Sequence, residues 1–250
     1  MEDLVVITAL ANAGLLFQYR GHALLADALQ RSDQLPFTGL PENIWKTMLA
    51  GESPFSQVDA LLFSHLHPDH FSESMTQQYL QRHPDTRLFL PDDASLTGRE
   101  DGSAPAKVIR ITGENALTPY PVGEDITVRA FSSLHLDEKY HNTPHFCYVL
   151  SFGEKNVLLT GDIDYTCETL SQIADIPLKA AFITPLFFRA LNAHRFFRGQ
   201  LMPQTLFVNH IPDASEDQFG VRHMVQRDLA SRHADSPVFA CTQINQKFFL

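Results

Sequence analysis

The sequence predicts an α+β fold with two sheets and helices on their outer faces. Three observations lead to it: candidate strands come in runs, candidate helices lie singly between the runs, and 44% of the 250 residues are apolar. Runs of strands indicate sheets built from hairpins, whereas strict strand–helix alternation would indicate a parallel sheet. A chain of this length can bury a sizeable core as one unit, and we expect a single domain over residues 1–250.

The first third of the chain contains short candidate strands joined by tight turns. Apolar runs at 5–8, 15–19 and 22–26 are separated by the turn-forming segments ANAG and RG. Prolines and glycines interrupt residues 36–54, and one helix is predicted there, at Glu42–Ala50.

The middle of the chain begins with DALLF, residues 59–63, which predicts a buried strand leading into a cluster of histidines. Ser72 is a candidate N-cap for the helix that follows, and Pro84 ends that helix. Five further strands are predicted, the last two as a hairpin around GEK, at 87–90, 107–111, 126–131, 146–152 and 156–160. The rest of the chain predicts helices at 167–174, within 189–198 and from 215 to 232, and strands at 206–208 and 238–240.

Composition excludes several classes of protein. The formal charge of −10 argues against binding to nucleic acid or to an anionic membrane, because phosphate-binding surfaces are basic. The three cysteines, Cys147, Cys167 and Cys241, are widely spaced and form no CxxC pair, as expected for a reduced, cytoplasmic protein. The amino end, MEDLVVITAL, has the pattern of neither a signal peptide nor a membrane span, and no apolar run approaches about 18 residues.

The segment FSHLHPDHF, residues 63–71, crowds titratable side chains directly after a buried strand. Side chains alternate along an extended segment, so His65 and His67 point the same way. Pro68 interrupts the extended path, and Asp69 and His70 follow at the turn. Imidazole and carboxylate groups suit a borderline divalent ion. A hydrated loop is the alternative, and four such groups in six positions make it the weaker interpretation.

The histidine segment resembles the signature of a known family. HLHPDH matches the HxHxDH motif of the metallo-β-lactamase superfamily residue for residue, and other features follow in the family's order. They are an early aspartate after a strand (LLADAL, Asp27), an aspartate after a hairpin (TGD, Asp162) and a histidine after a late strand (FVNH, His210). The resemblance is to the branch of metal-dependent hydrolases that includes L-ascorbate phosphate lactonase, and it implies a four-layer αββα sandwich with metals at one edge of the sheets.

The resemblance also implies a set of metal ligands. The cofactors would be two divalent metal ions, Zn²⁺ or alternatively Mn²⁺ or Fe. One ion would be held by His65, His67 and a third histidine, the other by Asp69, His70 and His210, with Asp162 bridging both.

The third histidine has three candidates. His135 follows the strand ITVRAF and precedes TGD at the interval usual in the family, so it is preferred. His141 and His145 lie later in the same connection and remain alternatives.

Asp27 closes a strand in apolar surroundings, and a buried carboxylate needs a partner. The resemblance implies that it accepts a hydrogen bond from a metal-bound histidine and fixes the orientation of that ring. A helix or turn cap is the alternative.

A hydrolytic reaction follows from the implied ligands. Two such ions would lower the pKa of a bridging water from about 15.7 to about 7, and the hydroxide would attack an ester, lactone or phosphodiester of a small molecule. Asp69 and Asp162 are the expected catalytic residues, and Asp69 is the better candidate for exchanging a proton with the water. GxSxG, P-loop and GxGxxG motifs are absent from the sequence.

Substrate-binding residues are less clearly indicated. His145, Tyr165 and Arg189 are candidates, and Arg189 would favour an anionic substrate. The phenylalanine-rich segment 186–202 is either a substrate wall, an ordinary amphipathic helix or a contact in a homo-oligomer.

Two other functions remain as alternatives: a di-iron redox enzyme of the same fold, and a non-catalytic metal-binding module. Di-iron relatives typically replace one histidine ligand by an acid, and a degenerate module would lack ligands. The complete ligand pattern therefore favours the hydrolase.

Overall fold

The computed structural model of the protein describes residues 3–31, 37–93, 107–166, 168–191, 197, 199, 201–231 and 236–250. These residues form two sheets of seven strands each. The first sheet consists of Val6–Ala9 (β1), Leu15–Tyr19 (β2), His22–Ala26 (β3), Ala60–Leu62 (β4), Arg87–Pro91 (β5), Val108–Ile111 (β6) and Lys247–Phe249 (β14). The second consists of Tyr120–Gly123 (β7), Ile126–Ser133 (β8), His145–Phe152 (β9), Lys155–Leu159 (β10), Leu178–Ile183 (β11), Leu206–Val208 (β12) and Val238–Ala240 (β13).

Both sheets are mixed and change from antiparallel to parallel pairing at a comparable point. In the first sheet β14, β1, β2 and β3 pair antiparallel, and β3, β4, β5 and β6 pair parallel. In the second, β7, β8, β9 and β10 pair antiparallel, and β10, β11, β12 and β13 pair parallel. Residues that follow parallel strands emerge at one edge of a sheet, and this is where open sheets usually place ligands.

Helices cover the outer face of each sheet. Glu42–Ala50 (α1) and Glu73–Arg82 (α2) pack on the first sheet, and Pro185–Arg189 (α3) and Val221–Ser231 (α4) pack on the second. A separate apolar core, drawn from both sheets, fills the space between them. The predicted α+β fold with four αββα layers is confirmed. Within the described residues, no helix combines the length and the apolar character needed to cross a bilayer.

Most predicted elements form within one or two residues of their expected bounds. α1, β2, β3, β12 and β13 have the predicted limits, and Ser72 caps α2 by accepting a hydrogen bond from the Met75 backbone N–H. Three strands were not predicted: β7 and β14, which are short and lie at the edges of the two sheets, and β11, which lies inside the second sheet between β10 and β12.

The predicted helices near the carboxyl end required correction. α4 begins at Val221 and not at residue 215, because the Asp217 carboxylate accepts hydrogen bonds from the Val221 and Arg222 backbone N–H groups. The helix predicted at 167–174 is a 3₁₀ helix at Glu168–Ile173, with Cys167 outside the described residues. Most of the helix predicted within 189–198 also lies outside them.

Two hydrogen bonds join the sheets beside the histidine segment. The hydroxyl of Tyr148, on β9, donates to the carbonyl of Phe63 at 2.7 Å. The Phe146 backbone N–H donates to the Ser64 carbonyl at 2.8 Å. Because Phe63 and Ser64 immediately precede His65, these bonds fix the start of the histidine segment against the second sheet.

Replacing Tyr148 with phenylalanine tests this junction. Tyr148→Phe leaves the buried Phe63 carbonyl without its side-chain donor, and we expect the free energy of unfolding to fall by about 1–3 kcal/mol. Urea denaturation followed by circular dichroism measures the change. A variant as stable as the original protein would show that the hydrogen bond does not hold the sheets together.

Candidate metal centre

The histidine segment leaves β4 at the carboxyl edge of the first sheet and turns sharply. His65 is fully buried and His67 is half-buried. The backbone N–H of His70 donates to the carbonyl of His67 at 2.9 Å, which closes the turn after Pro68. This turn directs the first two histidines to one point and Asp69 and His70 to a second.

The predicted ligands lie in two adjacent groups. Within each group one nitrogen or oxygen atom of every side chain lies within 4.8 Å of the corresponding atoms of the others. The groups are His65, His67 and His135, and Asp69, His70, Asp162 and His210.

A local pairing of two connecting segments brings His135 into the first group. His135 forms an isolated antiparallel bridge with Ile163. The Leu136 backbone N–H donates to the Asp162 carbonyl at 2.8 Å, and the Asp164 N–H donates to the Leu134 carbonyl at 2.7 Å. The His135 Nε2 thereby lies 3.9 Å from the Asp162 carboxylate.

The other two candidate histidines lie outside both groups. His141 Nε2 is 3.8 Å from the Asp164 carboxylate. His145 is buried at the start of β9, and its Nδ1 lies 2.7 Å from the Ser133 hydroxyl oxygen. Of the three candidates, His135 is the one grouped with His65 and His67 by its ligand atom, although the ring centroid of His145 lies 5.2 Å from that of His65.

Asp162 and His210 reach the second group from the ends of β10 and β12. Asp162 Oδ2 lies 3.5 Å from His70 Nε2 and 3.6 Å from His210 Nε2. It also lies near His135, so this one oxygen is at the junction of the two groups. The His210 Nε2 is 3.2 Å from the Asp69 carboxylate.

Gly161 allows Asp162 to approach this closely. Its φ of +52° is in the left-handed region, and a Cβ atom there would lie 2.7 Å from Ser64 Cβ and 2.8 Å from His145 Nε2. A side chain at this position would push Asp162 away from the histidine segment.

Asp27 lies directly after β3 and contacts the histidine segment. Its carboxylate accepts hydrogen bonds from the Ser64 backbone N–H and hydroxyl, both at 2.8 Å, and lies 3.1 Å from His70 Nδ1. The His70 Nε2 consequently points into the second group. This is the orientation that a carboxylate–histidine pair imposes on a metal ligand.

Tyr165 and Arg189, the other predicted substrate-binding residues, have no described contact with either ligand group. The Tyr165 ring stacks on Phe187 at 5.8 Å between centroids, at the edge of the core under α3. Arg189 is exposed at the end of α3, and no contact described for it links it to either group.

Three residues that were not predicted for the site contact the candidate ligands. Asn12, in the ANAG turn, donates from Nδ2 to the Asp69 carbonyl at 2.9 Å and lies 3.5 Å from His210 Nε2. Its φ is +52°, a conformation that asparagine tolerates better than most residues. An asparagine in a predicted turn was therefore the one local feature of the sequence that pointed to this position. The rings of Phe37 and Tyr140 pack on His210 and His67, and no sequence pattern indicated either contact.

The electrostatic environment favours ligand-ready protonation states in the first group and in both carboxylates. Burial lowers the pKa of His65 well below its ordinary value and that of His135 to about 4, so both rings are neutral at pH 7. Burial alone would raise the pKa of Asp69, but the neighbouring His70 and His210 lower it to about 2. The pKa of Asp162 is likewise well below its usual range, because His210 and His70 outweigh burial.

The donor atoms fit divalent metal ions. His65 Nε2, His135 Nε2 and Asp162 Oδ1 are buried and have no hydrogen-bond partner among the described residues. His70 Nε2 and His210 Nε2 face each other at 3.0 Å beside two carboxylates. Buried polar atoms normally have partners, and cations between these atoms would supply them.

Several solved structures share the fold of this chain at low sequence identity. YhfI from Bacillus subtilis, a metallo-beta-lactamase fold protein, superposes with a TM-score of 0.67 and 16% identity, covering 99% of this chain and 100% of that one. Isothiocyanate hydrolase from Delia radicum gut bacteria gives 0.63 and 14%, covering 97% and 98%. CmlA, a diiron β-hydroxylase from Streptomyces venezuelae, gives 0.55 and 17%, covering 100% of this chain and 54% of that one.

These structures share the fold with this chain, and their different chemistries show that the fold does not determine the reaction. No curated protein matches the sequence. The model of the family described as the metallo-beta-lactamase superfamily matches residues 38–199, which include the histidine segment, His135 and Asp162. With most of its length matched and its histidines and aspartates gathered at the edge of two sheets, the chain belongs to the metallo-β-lactamase superfamily.

Proposed function

We propose that this protein is a hydrolase that uses two metal ions to cut an ester, lactone or phosphodiester bond in a small molecule. The observation that carries the proposal is the position of Asp162 Oδ2, which lies 3.5 Å from His70 Nε2 in one group and 3.9 Å from His135 Nε2 in the other. A shared carboxylate between two imidazole-rich groups is the arrangement expected for a pair of metal ions.

The residues would divide into two ligand sets. His65, His67 and His135 would hold the first ion and Asp69, His70 and His210 the second, and Asp162 would contribute to both. Zn²⁺ suits this set of imidazole and carboxylate donors, with Mn²⁺ and Fe as alternatives. When bound, the two ions would supply hydroxide at neutral pH and polarise the bond that is cut.

The side chains supply proton transfer and orientation. Asp69 and Asp162 are ionised at neutral pH, so either carboxylate can accept a proton during the reaction, and Asp69 is the better candidate because it belongs to one group only. Asp27 orients His70 from behind, and Asn12 holds the Asp69 backbone. No serine or cysteine nucleophile is required.

Several finer assignments remain predictions. They include substrate contacts by His145, Tyr165 and Arg189, an anionic substrate, a homo-oligomer, a single domain over 1–250 and a cytoplasmic location. For His145 a packing role is better supported than substrate binding, because its ring is buried next to Ser133 and Gly161.

The alternatives differ from the hydrolase in metal content. A di-iron redox enzyme would contain two iron ions, and a non-catalytic module would contain none that is tightly bound and would turn over no substrate. The all-imidazole first group supports the hydrolase over the redox enzyme, for which an acidic ligand would be expected.

The first test is metal content together with hydrolysis. Protein purified without chelators should contain about two zinc or manganese ions per chain, measured by plasma mass spectrometry. It should also hydrolyse at least one member of a panel of lactones, aryl esters and bis-(p-nitrophenyl) phosphate. Two iron ions without hydrolysis would favour redox chemistry, and no bound metal would refute the proposal.

Asp162→Ala tests the shared carboxylate. Removing it should lower the metal content to about one ion per chain and hydrolysis by at least about a hundredfold, while circular dichroism shows a folded protein. Asp164→Ala is the matched control, since Asp164 is two residues away and outside both groups, and its metal content should not change. Full metal content and activity in Asp162→Ala would contradict the role given to Asp162.

Asp27→Asn tests orientation of His70 by its carboxylate partner. The substitution weakens the bond to His70 Nδ1, and metal affinity should fall by about 10- to 100-fold in competition with a chelator. Asp59→Asn is the control: Asp59 forms a similar pair with His22 at 3.2 Å, near the opposite ends of the same strands. Equal losses in both variants, or none in Asp27→Asn, would exclude a specific role for Asp27.

A further inference from the structure

Two aromatic rings pack against the candidate metal ligands, one at each group. Tyr140 lies across His67 with 4.4 Å between ring centroids and also contacts His135 at 5.2 Å. Phe37 meets His210 edge-on at 5.4 Å. We call Phe37 and Tyr140 the aromatic pair.

The aromatic pair contacts the two most accessible histidines of the site. His65, His70 and His135 are buried, whereas His67 and His210 are partly exposed. The two rings therefore lie beside the two histidines of the candidate metal centre that are partly open to solvent.

Tyr140 is held in place by its own turn. It ends a 3₁₀ helix, Glu138–Tyr140, that the Asp137 carboxylate caps by accepting a hydrogen bond from the Lys139 backbone N–H. The Lys139 ammonium lies 2.9 Å from that carboxylate and 4.5 Å from the centre of the Tyr140 ring. Its charge is thus already paired.

Phe37 is fixed through the next residue. The Thr38 carbonyl accepts a hydrogen bond from the buried Gln30 side chain at 2.9 Å, and the Thr38 hydroxyl accepts one from the Asp213 backbone N–H at 2.7 Å. These hydrogen bonds fix the backbone next to each ring, and a restrained backbone lowers the entropic cost of binding a ligand against the rings.

We propose that the aromatic pair forms a subsite for a flat apolar group, best an aromatic ring, next to the bond that is cut. This inference rests on the proposed hydrolase function. The exposure of Tyr140 supports the subsite: 36% of its surface is open to solvent, whereas a ring that only shielded a histidine would be more completely covered. Aromatic rings stack on one another at centroid distances of about 4.5–7 Å, so a planar substrate group can contact either ring while its polar end faces the ligands.

Binding of two matched hydroxamates tests the subsite without relying on turnover. Benzohydroxamate and acetohydroxamate chelate a divalent ion through the same two oxygen atoms and differ only in a phenyl or a methyl group. We expect metal-loaded protein to bind benzohydroxamate about tenfold more tightly in isothermal titration, equivalent to about 1.4 kcal/mol. Metal content is measured on every sample.

Variants of the aromatic pair should lower this preference. Tyr140→Ala and Phe37→Ala should each reduce the ratio of the two dissociation constants to about threefold or less, and Tyr140→Phe should retain it. Phe249→Ala is the control, because Phe249 is an exposed aromatic residue on edge strand β14, paired with Val6, and its loss should leave the ratio unchanged.

The outcomes separate this inference from the hydrolase function. A ratio near one in the original protein, or an unchanged ratio in both alanine variants with full metal content, would overturn the aromatic subsite even if esters are hydrolysed. Protein that binds neither metal nor hydroxamate would overturn both. A tenfold ratio that depends on the two rings would support the subsite even if no panel substrate is cut.

Discussion

The arrangement of the candidate site depends on hydrogen bonds at one residue, Ser64, which fix the start of the histidine segment. Its backbone N–H donates to Asp27 at the edge of the first sheet, and its carbonyl accepts from Phe146 in the second. His65 is the next residue. Because Ser64 is hydrogen-bonded to both sheets, His65 and His67 are held in a fixed position relative to both. The close approach of Gly161 to Ser64 then brings Asp162 to the same place.

The titratable side chains gathered at this edge of the sheets are costly in free energy to bury. Buried carboxylates and imidazoles without partners cost several kcal/mol each in an apolar interior, as a rough guide. Burial would raise the pKa of both Asp69 and Asp162, but His70 and His210 face these carboxylates and hold each pKa below its ordinary value. Cations in the two groups would supply partners for the buried atoms that have none among the described residues, which include His65 Nε2, His135 Nε2 and Asp162 Oδ1.

Local patterns in the sequence predicted much of the fold and the chemical character of the site. Period-two alternation and turn residues located most strands, and HLHPDH located four ligand candidates. β7, β11 and β14 were missed: β7 and β14 are only four and three residues long, too short to show an alternating pattern, and the run LKAAFI of β11 has no such alternation because most of it is buried. The sequence also left three candidates for the third histidine. The choice depends on a bridge between His135 and Ile163, which are far apart in the chain, and no local pattern encodes it.

The ligands and the aromatic pair belong to different kinds of structure. The ligands follow buried strands and are constrained by hydrogen bonds between the sheets, whereas Phe37 and Tyr140 stand on surface connections outside the strands. Under the proposed function, substitutions in those connections would alter which molecules reach the two groups without displacing the candidate ligand atoms. Positions 37 and 140 would then be the places to change substrate range while the candidate ligands stay where they are.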